Sequence, residues 1–171
     1  LISCVRYGEG HINDTFKATV LEDGRKEVHY ILQRINHRLF TEVDKLMHNI
    51  ALVSDFCRRS VLSRGGDPSR ECLTLIRTKG GETYYFDGEN YFRMYVFIER
   101  ATSYQTVRDA KDFYESAVAF GNFANLLAEF DASQLYEVLP NFHNTKVRYE
   151  NFIAAVDNAV CGRATSRAPA S

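Results

Sequence analysis

Tyr7-Gly8-Glu9-Gly10-His11-Ile12-Asn13-Asp14-Thr15-Phe16 is the stretch from which the fold follows. On one side of it Ile2-Ser3-Cys4-Val5-Arg6-Tyr7 reads as a strand, and on the other Thr15-Phe16-Lys17-Ala18-Thr19-Val20-Leu21 alternates as an antiparallel partner should. Strand, glycine-containing turn and strand make a hairpin. Glycine tolerates positive φ and lets backbone approach a ligand closely, so a tip holding Gly8 and Gly10 suits amide donors laid over a phosphate. An ordinary hairpin loop carries the same short signature.

Working outward, Glu22-Asp23-Gly24-Arg25-Lys26 has turn chemistry, and Glu27 to Ile35 reads as a third strand. Val28, Tyr30 and Leu32 fall on one face of it, Ile31 and Ile35 on the other, with polar Gln33 and Arg34 near its end. These two mark either an edge or a polar group delivered towards the glycine turn. Thr41 is placed to cap a helix starting at Glu42, with Val43, Leu46, Met47, Ile50, Val53 and Cys57 at helical spacing and an end near Arg58-Arg59-Ser60. Arg64 to Ser69 reads as a surface loop. Glu71 to Thr78 and Thr83 to Phe86 are predicted to form a hairpin around Gly80-Gly81. After the Asp87-Gly88-Glu89-Asn90 turn, Tyr91 to Ile98 is the most strand-like run of the chain. The expectation is a five-stranded antiparallel sheet over residues 1–98 with one helix inserted after the third strand.

The character then changes. A linker, Glu99 to Tyr104, leads to an amphipathic helix over Asp109 to Phe130, whose stripe is Phe113, Ala117, Phe120, Phe123, Ala124 and Leu127. A turn-rich connection, Leu139 to Asn144, precedes a second helix over Thr145 to Val160 with Val147, Phe152, Ile153 and Val156. The fold class is therefore α+β, and there is no internal repeat.

Composition narrows the function classes. The 171 residues are 45% hydrophobic and 25% charged, ordinary for a globular protein of one domain or two small lobes. With 21 basic against 22 acidic residues and no long run of either sign, a nucleic-acid partner is not expected. The cysteines at 4, 57, 72 and 161 lack the spacing of a zinc site or a disulfide framework and read as small buried apolar residues in a reducing compartment. No apolar run approaches a membrane span and no signal peptide is evident, so the expected location is cytoplasmic. Both ends read as cut, with a small, polar tail from Gly162 to Ser171.

Four blocks in order carry a resemblance: Gly8-x-Gly10-His11-Ile12-Asn13-Asp14-Thr15-Phe16; Tyr30-Ile31-Leu32-Gln33-Arg34-Ile35-Asn36; Leu46-Met47-x-Asn49-Ile50; and Phe142-His143-Asn144-Thr145-x-x-Arg148. Together with the order of elements they resemble the aminoglycoside phosphotransferase and choline kinase superfamily. Within it they are most similar to the N-acetylhexosamine 1-kinase branch, some of whose members carry the older label mucin desulfatase. The resemblance implies a protein-kinase-like small lobe at residues 1–98, a hinge with the first helices of the acceptor lobe at 99–160, and a disordered or truncated tail at 161–171.

By the same resemblance, Gly8, Gly10, His11, Ile12 and Asn13 would cover the phosphates of ATP, with Asn13 in the left-handed conformation. The third strand should supply a cation to the α- and β-phosphates. Gln33 and Arg34 share that place and no lysine does; charge favours Arg34, and only one of the two can face the cleft. Glu42 is the first candidate to fix that cation, Asn49 the neutral alternative. Val96, Phe97, Ile98 and Glu99 match the hinge that holds the adenine edge. His143, Asn144 and Arg148 either line the acceptor pocket or cap and bridge the start of the second helix.

Phosphoryl transfer in that superfamily needs an aspartate in an H-x-D loop, an asparagine five residues on and a further magnesium-binding aspartate. The five histidines are followed two residues later by Asn13, Ile31, Leu39, Ile50 and Thr145. Asp55-Phe56 and Asp112-Phe113 lie in helical stretches and are followed by Cys57 and Tyr114, so neither is a metal-binding D-F-G segment. The implied reading is an amino-terminal nucleotide-binding part, inactive alone, of an ATP- and Mg2+-dependent enzyme, with catalytic and metal-binding residues outside this chain. The acceptor implied is the anomeric hydroxyl of an N-acetylhexosamine; choline, homoserine or an aminoglycoside, or a non-catalytic binding module, are the alternatives. Self-association through the exposed lobe face is expected.

Overall fold

The computed structural model describes residues 1–102, 104 and 106–158, so the expectations for Cys161 and the tail at 161–171 lie outside the described residues. The protein is α+β, with one antiparallel sheet and several helices. It divides into two units, Leu1–Val138 and a second that begins at Leu139.

The opening residues pair as the alternation predicts. β1 (Ser3–Arg6), β2 (Asp14–Glu22) and β3 (Lys26–Ile35) form consecutive antiparallel hairpins, with Val5 opposite Lys17 and Lys17 opposite Ile31. Asp23 and Gly24, both at positive φ, supply the tight turn between β2 and β3. Three further strands follow: β4 (Leu75–Ile76), β5 (Tyr85–Phe86) and β6 (Tyr91–Val96). The sheet order is β1-β2-β3-β6-β4, with β5 also on β6.

The sheet thus has six strands where five were expected, and the hairpin predicted over 71–86 is not a strand pair. Leu75 and Ile76 pair with Tyr95 and Met94, while Tyr85 and Phe86 pair with Phe92 and Tyr91. The Gly80-Gly81 turn does close, through Gly81 N–H to Thr78 C=O at 2.9 Å and Thr78 N–H to Glu82 C=O at 2.9 Å. Beyond it Tyr84 is drawn to Asp44, its hydroxyl donating at 2.6 Å, and the chain meets β6 one segment at a time.

α1 runs Val43–Ser63. Glu42 is its N-cap residue, without a side-chain capping bond, so Thr41 does not cap it as expected. The helix also outlasts its predicted end at residues 58–60, because Val61 is a core residue at 1% exposure. Gly66 follows closely: a Cβ there would lie 2.8 Å from a Val61 methyl and 2.6 Å from the Glu71 carboxylate. The stretch read as loop continues into a short helix, α2 (Pro68–Glu71), capped by Asp67. The core joins Ile35 of β3 to Val43, Leu46 and Met47 of α1, with Phe40, Ile50, Leu75 and Tyr91 packed around them. Each such side chain contributes about 1.5–3 kcal/mol through removal from water.

α3 (Ala110–Leu126) is shorter than predicted and is capped by the Asp109 carboxylate, which accepts from Lys111 and Asp112 N–H groups. Its stripe remains largely bare: Phe113 is 68% and Phe120 74% exposed. In the second unit α4 (Thr145–Asp157) leaves Phe152 and Ile153 exposed. Of the cysteines, 57 and 72 are buried as expected, but Cys4 is exposed on edge strand β1. Among the described residues no helix is long and apolar enough to cross a membrane.

Candidate functional site

Period-two alternation divides the sheet into two faces, and the register says which residues share each. Ile35 looks into the α1 core, so Gln33 and Ile31 lie on the α1 side of β3. Their partners Thr15 and Lys17 on β2, and Arg93 and Tyr95 on β6, are on the same side. Asp14, Arg34 and Phe92 occupy the opposite face, together with Arg6 and Phe16.

This settles where Gln33 and Arg34 point. Gln33 is half-buried on the α1 face; its amide N–H donates to Thr15 Oγ1 at 2.9 Å, and its carbonyl accepts from Arg93 Nε at 3.0 Å. Arg34, the residue favoured on charge, is on the outer face and grips one oxygen of Asp14 through Nε at 2.9 Å and Nη2 at 2.5 Å. Arg6 Nη1 meets the other oxygen at 3.3 Å. The hydrogen bond from Arg34 holds the Asp14 carboxyl below its usual range, and the charges of Arg34 and Arg6 act in the same direction.

The glycine turn is closed at its base by Tyr7 N–H donating to Thr15 C=O at 2.9 Å. Gly8 has φ +76°, a conformation that favours glycine. Asn13 does not adopt the left-handed conformation expected of it; its side-chain Oδ1 accepts from Asn36 N–H at 3.0 Å and ties the turn to the end of β3. Among the described residues, no carbonyl or side chain accepts from the N–H groups of Gly8, Glu9, Gly10, His11 or Ile12. A polar cavity of about 460 Å³ opens beside the turn, bordered by His11, Ile12, Asp14, Arg34 and Asn36.

Neither residue proposed to fix the cation does so. Glu42 turns to its own helix, pairing with Lys45 Nζ at 2.6 Å. Asn49 clasps the backbone of Tyr136 in both directions, at 2.7 and 2.9 Å. From α1, Met47 reaches Arg93, its sulfur 4.0 Å from Nη1.

At the expected hinge, Val96 N–H donates to Thr74 C=O and Phe97 N–H to His29 C=O, so these two donors are already used. Glu99 is held from both ends: Arg70 donates to its carbonyl, and its carboxylate lies 2.5 Å from His29 Nδ1. Ile98 has no backbone partner among the described residues. Phe97 gathers a small cluster, with Tyr7 edge-on at 5.5 Å and Lys17 Nζ 4.3 Å above its ring.

In the second unit Asn144 caps α4 by accepting from Val147 N–H at 3.1 Å. Arg148 donates to Phe142 C=O, and the His143 ring packs on Phe142 at 4.3 Å. The block therefore makes the cap-and-bridge contacts that were one of its two expected roles.

Thr15, Lys17 and Arg93 belong to the α1 face and were not singled out from sequence. The available signal was parity: Arg93 is the one charged residue in Tyr91-Phe92-Arg93-Met94-Tyr95-Val96, two positions from buried Tyr95. Burial pulls the Arg93 pKa down and pushes that of the Tyr95 hydroxyl up. No family model matches the chain.

Proposed function

We propose that this chain is the nucleotide-binding part of an ATP-dependent small-molecule kinase with a protein-kinase-like small lobe. The observation that carries the reading is the glycine turn between the first two strands of a sheet ordered β1-β2-β3-β6-β4, with α1 inserted after β3 and the N–H groups of Gly8 to Ile12 unengaged among the described residues. Unengaged amides and cations without carboxylate partners suit a polyanion. Among the described residues, Lys17 and Arg93 meet that description on the α1 face.

ATP, when bound, supplies the phosphoryl group. The turn from Gly8 to Asn13 covers its phosphates, Gln33 serves from the third strand, and Phe97 and Ile98 offer an apolar rim to the base. Asp14, beside the turn, is already held by two arginines, and magnesium ligands are assigned to no residue of this chain. The proposed acceptor is the anomeric hydroxyl of an N-acetylhexosamine, and this reading rests on resemblance in the four sequence blocks. The second reading is a non-catalytic nucleotide-binding module, and a gene that stops at Ser171 without running on into an H-x-D-x-x-x-x-N segment would favour it.

Titration with Mg-ATP tests the common part of both readings. Weak, saturable binding is expected, because contacts from a catalytic loop are missing; micromolar or tighter binding, or none at millimolar ATP, contradicts it. In an enzyme that joins this chain to a catalytic loop, turnover of choline or an aminoglycoside without turnover of N-acetylglucosamine or N-acetylgalactosamine would overturn the acceptor. Self-association through the bare stripe of α3 is proposed as well, and a strictly monomeric mass by light scattering at high concentration opposes it.

A further inference from the structure

Arg93 sits in the middle of β6, inside the most apolar strand of the protein. A half-buried guanidinium away from water is costly unless something returns the lost solvation, and the common solution is a carboxylate. Arg93 has none within ion-pair distance among the described residues. Its neighbours are the Gln33 carbonyl at 3.0 Å, the Met47 sulfur at 4.0 Å and the Tyr95 ring at 5.5 Å. All three are neutral, so the cation is left without a counter-charge.

The contacts of Gln33 give this charge a direction. Because its oxygen accepts from Arg93, its NH2 group is turned the other way, and it donates to Thr15 Oγ1 at 2.9 Å. Thr15 Oγ1 uses a lone pair in that bond, and its own proton has no acceptor among the described residues. Three donors are therefore aligned, Arg93 to Gln33 to Thr15, and each polarises the next. Thr15 is the second residue after Asn13, where the glycine turn enters β2, so the free end of the chain of donors lies at the foot of the turn.

We infer that Arg93 is the counter-charge of the phosphate site, acting from β6 through Gln33 and Thr15 on the polyphosphate of a nucleotide held under the glycine turn. The inference rests on the nucleotide-binding reading and adds to it the residue that carries the charge. It accounts for a third strand with glutamine on the α1 face: Gln33 provides reach and orientation, and the formal charge sits one strand away. Arg93 is a positioning residue in this scheme, since Thr15 and Gln33 lie between it and the ligand.

The test compares ATP, inorganic triphosphate and adenosine on the 171-residue chain, by ligand-observed NMR at millimolar concentrations. Arg93→Gln should weaken ATP and triphosphate by about tenfold and leave adenosine within about twofold, as loss of a charge-assisted interaction predicts. Arg93→Lys should retain part of the affinity, and adding Gln33→Lys to Arg93→Gln should restore it by moving the cation to β3. Should Arg93→Gln not fold, Thr15→Val breaks the same chain at its outer end and should show the same selective loss. Equal weakening of ATP and adenosine, or undiminished ATP binding in folded Arg93 and Thr15 variants, overturns this inference while leaving the nucleotide site standing. Arg93-dependent binding of triphosphate without binding of ATP overturns the nucleotide reading and keeps the anion site; no binding of either overturns both.

Discussion

The two faces of one sheet treat their cations differently. On the outer face Arg34 and Arg6 share the carboxylate of Asp14, and Tyr30 donates to Glu22 at 2.5 Å. On the α1 face Lys17 rests on the Phe97 ring and Arg93 on an amide, a thioether and a second ring. Strand chemistry is the same on both sides, and neighbours in sequence, Gln33 and Arg34, fall one on each. What separates the faces is the carboxylate: among the described residues Asp14 reaches both Arg34 and Arg6, and none reaches Lys17 or Arg93.

The comparison can be broken most severely at its hinge point. Ile35 anchors β3 to α1 at 1% exposure, and Ile35→Ala should cost about 3 kcal/mol of stability in urea denaturation. If the loss is below about 1 kcal/mol, the helix does not depend on that contact and the two faces are not defined as described.

A sharper contrast sets cation against cation. Lys17→Met is expected to weaken ATP several-fold, whereas Arg34→Gln should leave it nearly unchanged and only release Asp14 from its hydrogen bond. The reverse ranking would return the phosphate-binding role to Arg34 and to the polar cavity beside His11.

The smallest effect concerns the link between the β4–β5 segment and α1. The hydrogen bond to Asp44 pushes the Tyr84 hydroxyl pKa up to about 12 from an ordinary value of 10. A raised pKa means that the contribution is complete below pH 10 and is lost as the hydroxyl ionises on the way to about pH 12. Tyr84→Phe should therefore cost about 1 kcal/mol at neutral pH, discounted for partial exposure, and that difference should shrink in alkaline denaturation curves between these limits. An unchanged gap between variant and parent across that range contradicts the assignment.

Much of the sheet was legible in the sequence because alternation and turn residues are local signals. Residues 2–7, 15–21 and 27–35 pair as their pattern demands, and α1 follows from its apolar spacing. Register was the missing quantity. A shift of one residue exchanges Gln33 for Arg34, and the charge preference chose the residue whose partner, Asp14, becomes visible only when β2 and β3 are aligned. Arg93 was hidden for a related reason, since in sequence it is one polar residue in an apolar strand, and only the fold shows that no carboxylate of the described residues pairs with it. Glu42 was misplaced by a single position, from the helix body to its N-cap, enough to turn its carboxylate to Lys45. The β4 and β5 segments were joined into one hairpin because their shared partner β6 comes later in the chain.

The most direct test of the α1-face site is amide chemical-shift mapping on the whole chain as Mg-ATP is added. The predicted result is a contiguous set of shifts at Gly8 to Ile12, Thr15, Lys17, Gln33 and Phe97, with Arg6, Leu32 and Arg34 changing least. Shifts centred on the outer face, or none at saturating nucleotide, would contradict the account.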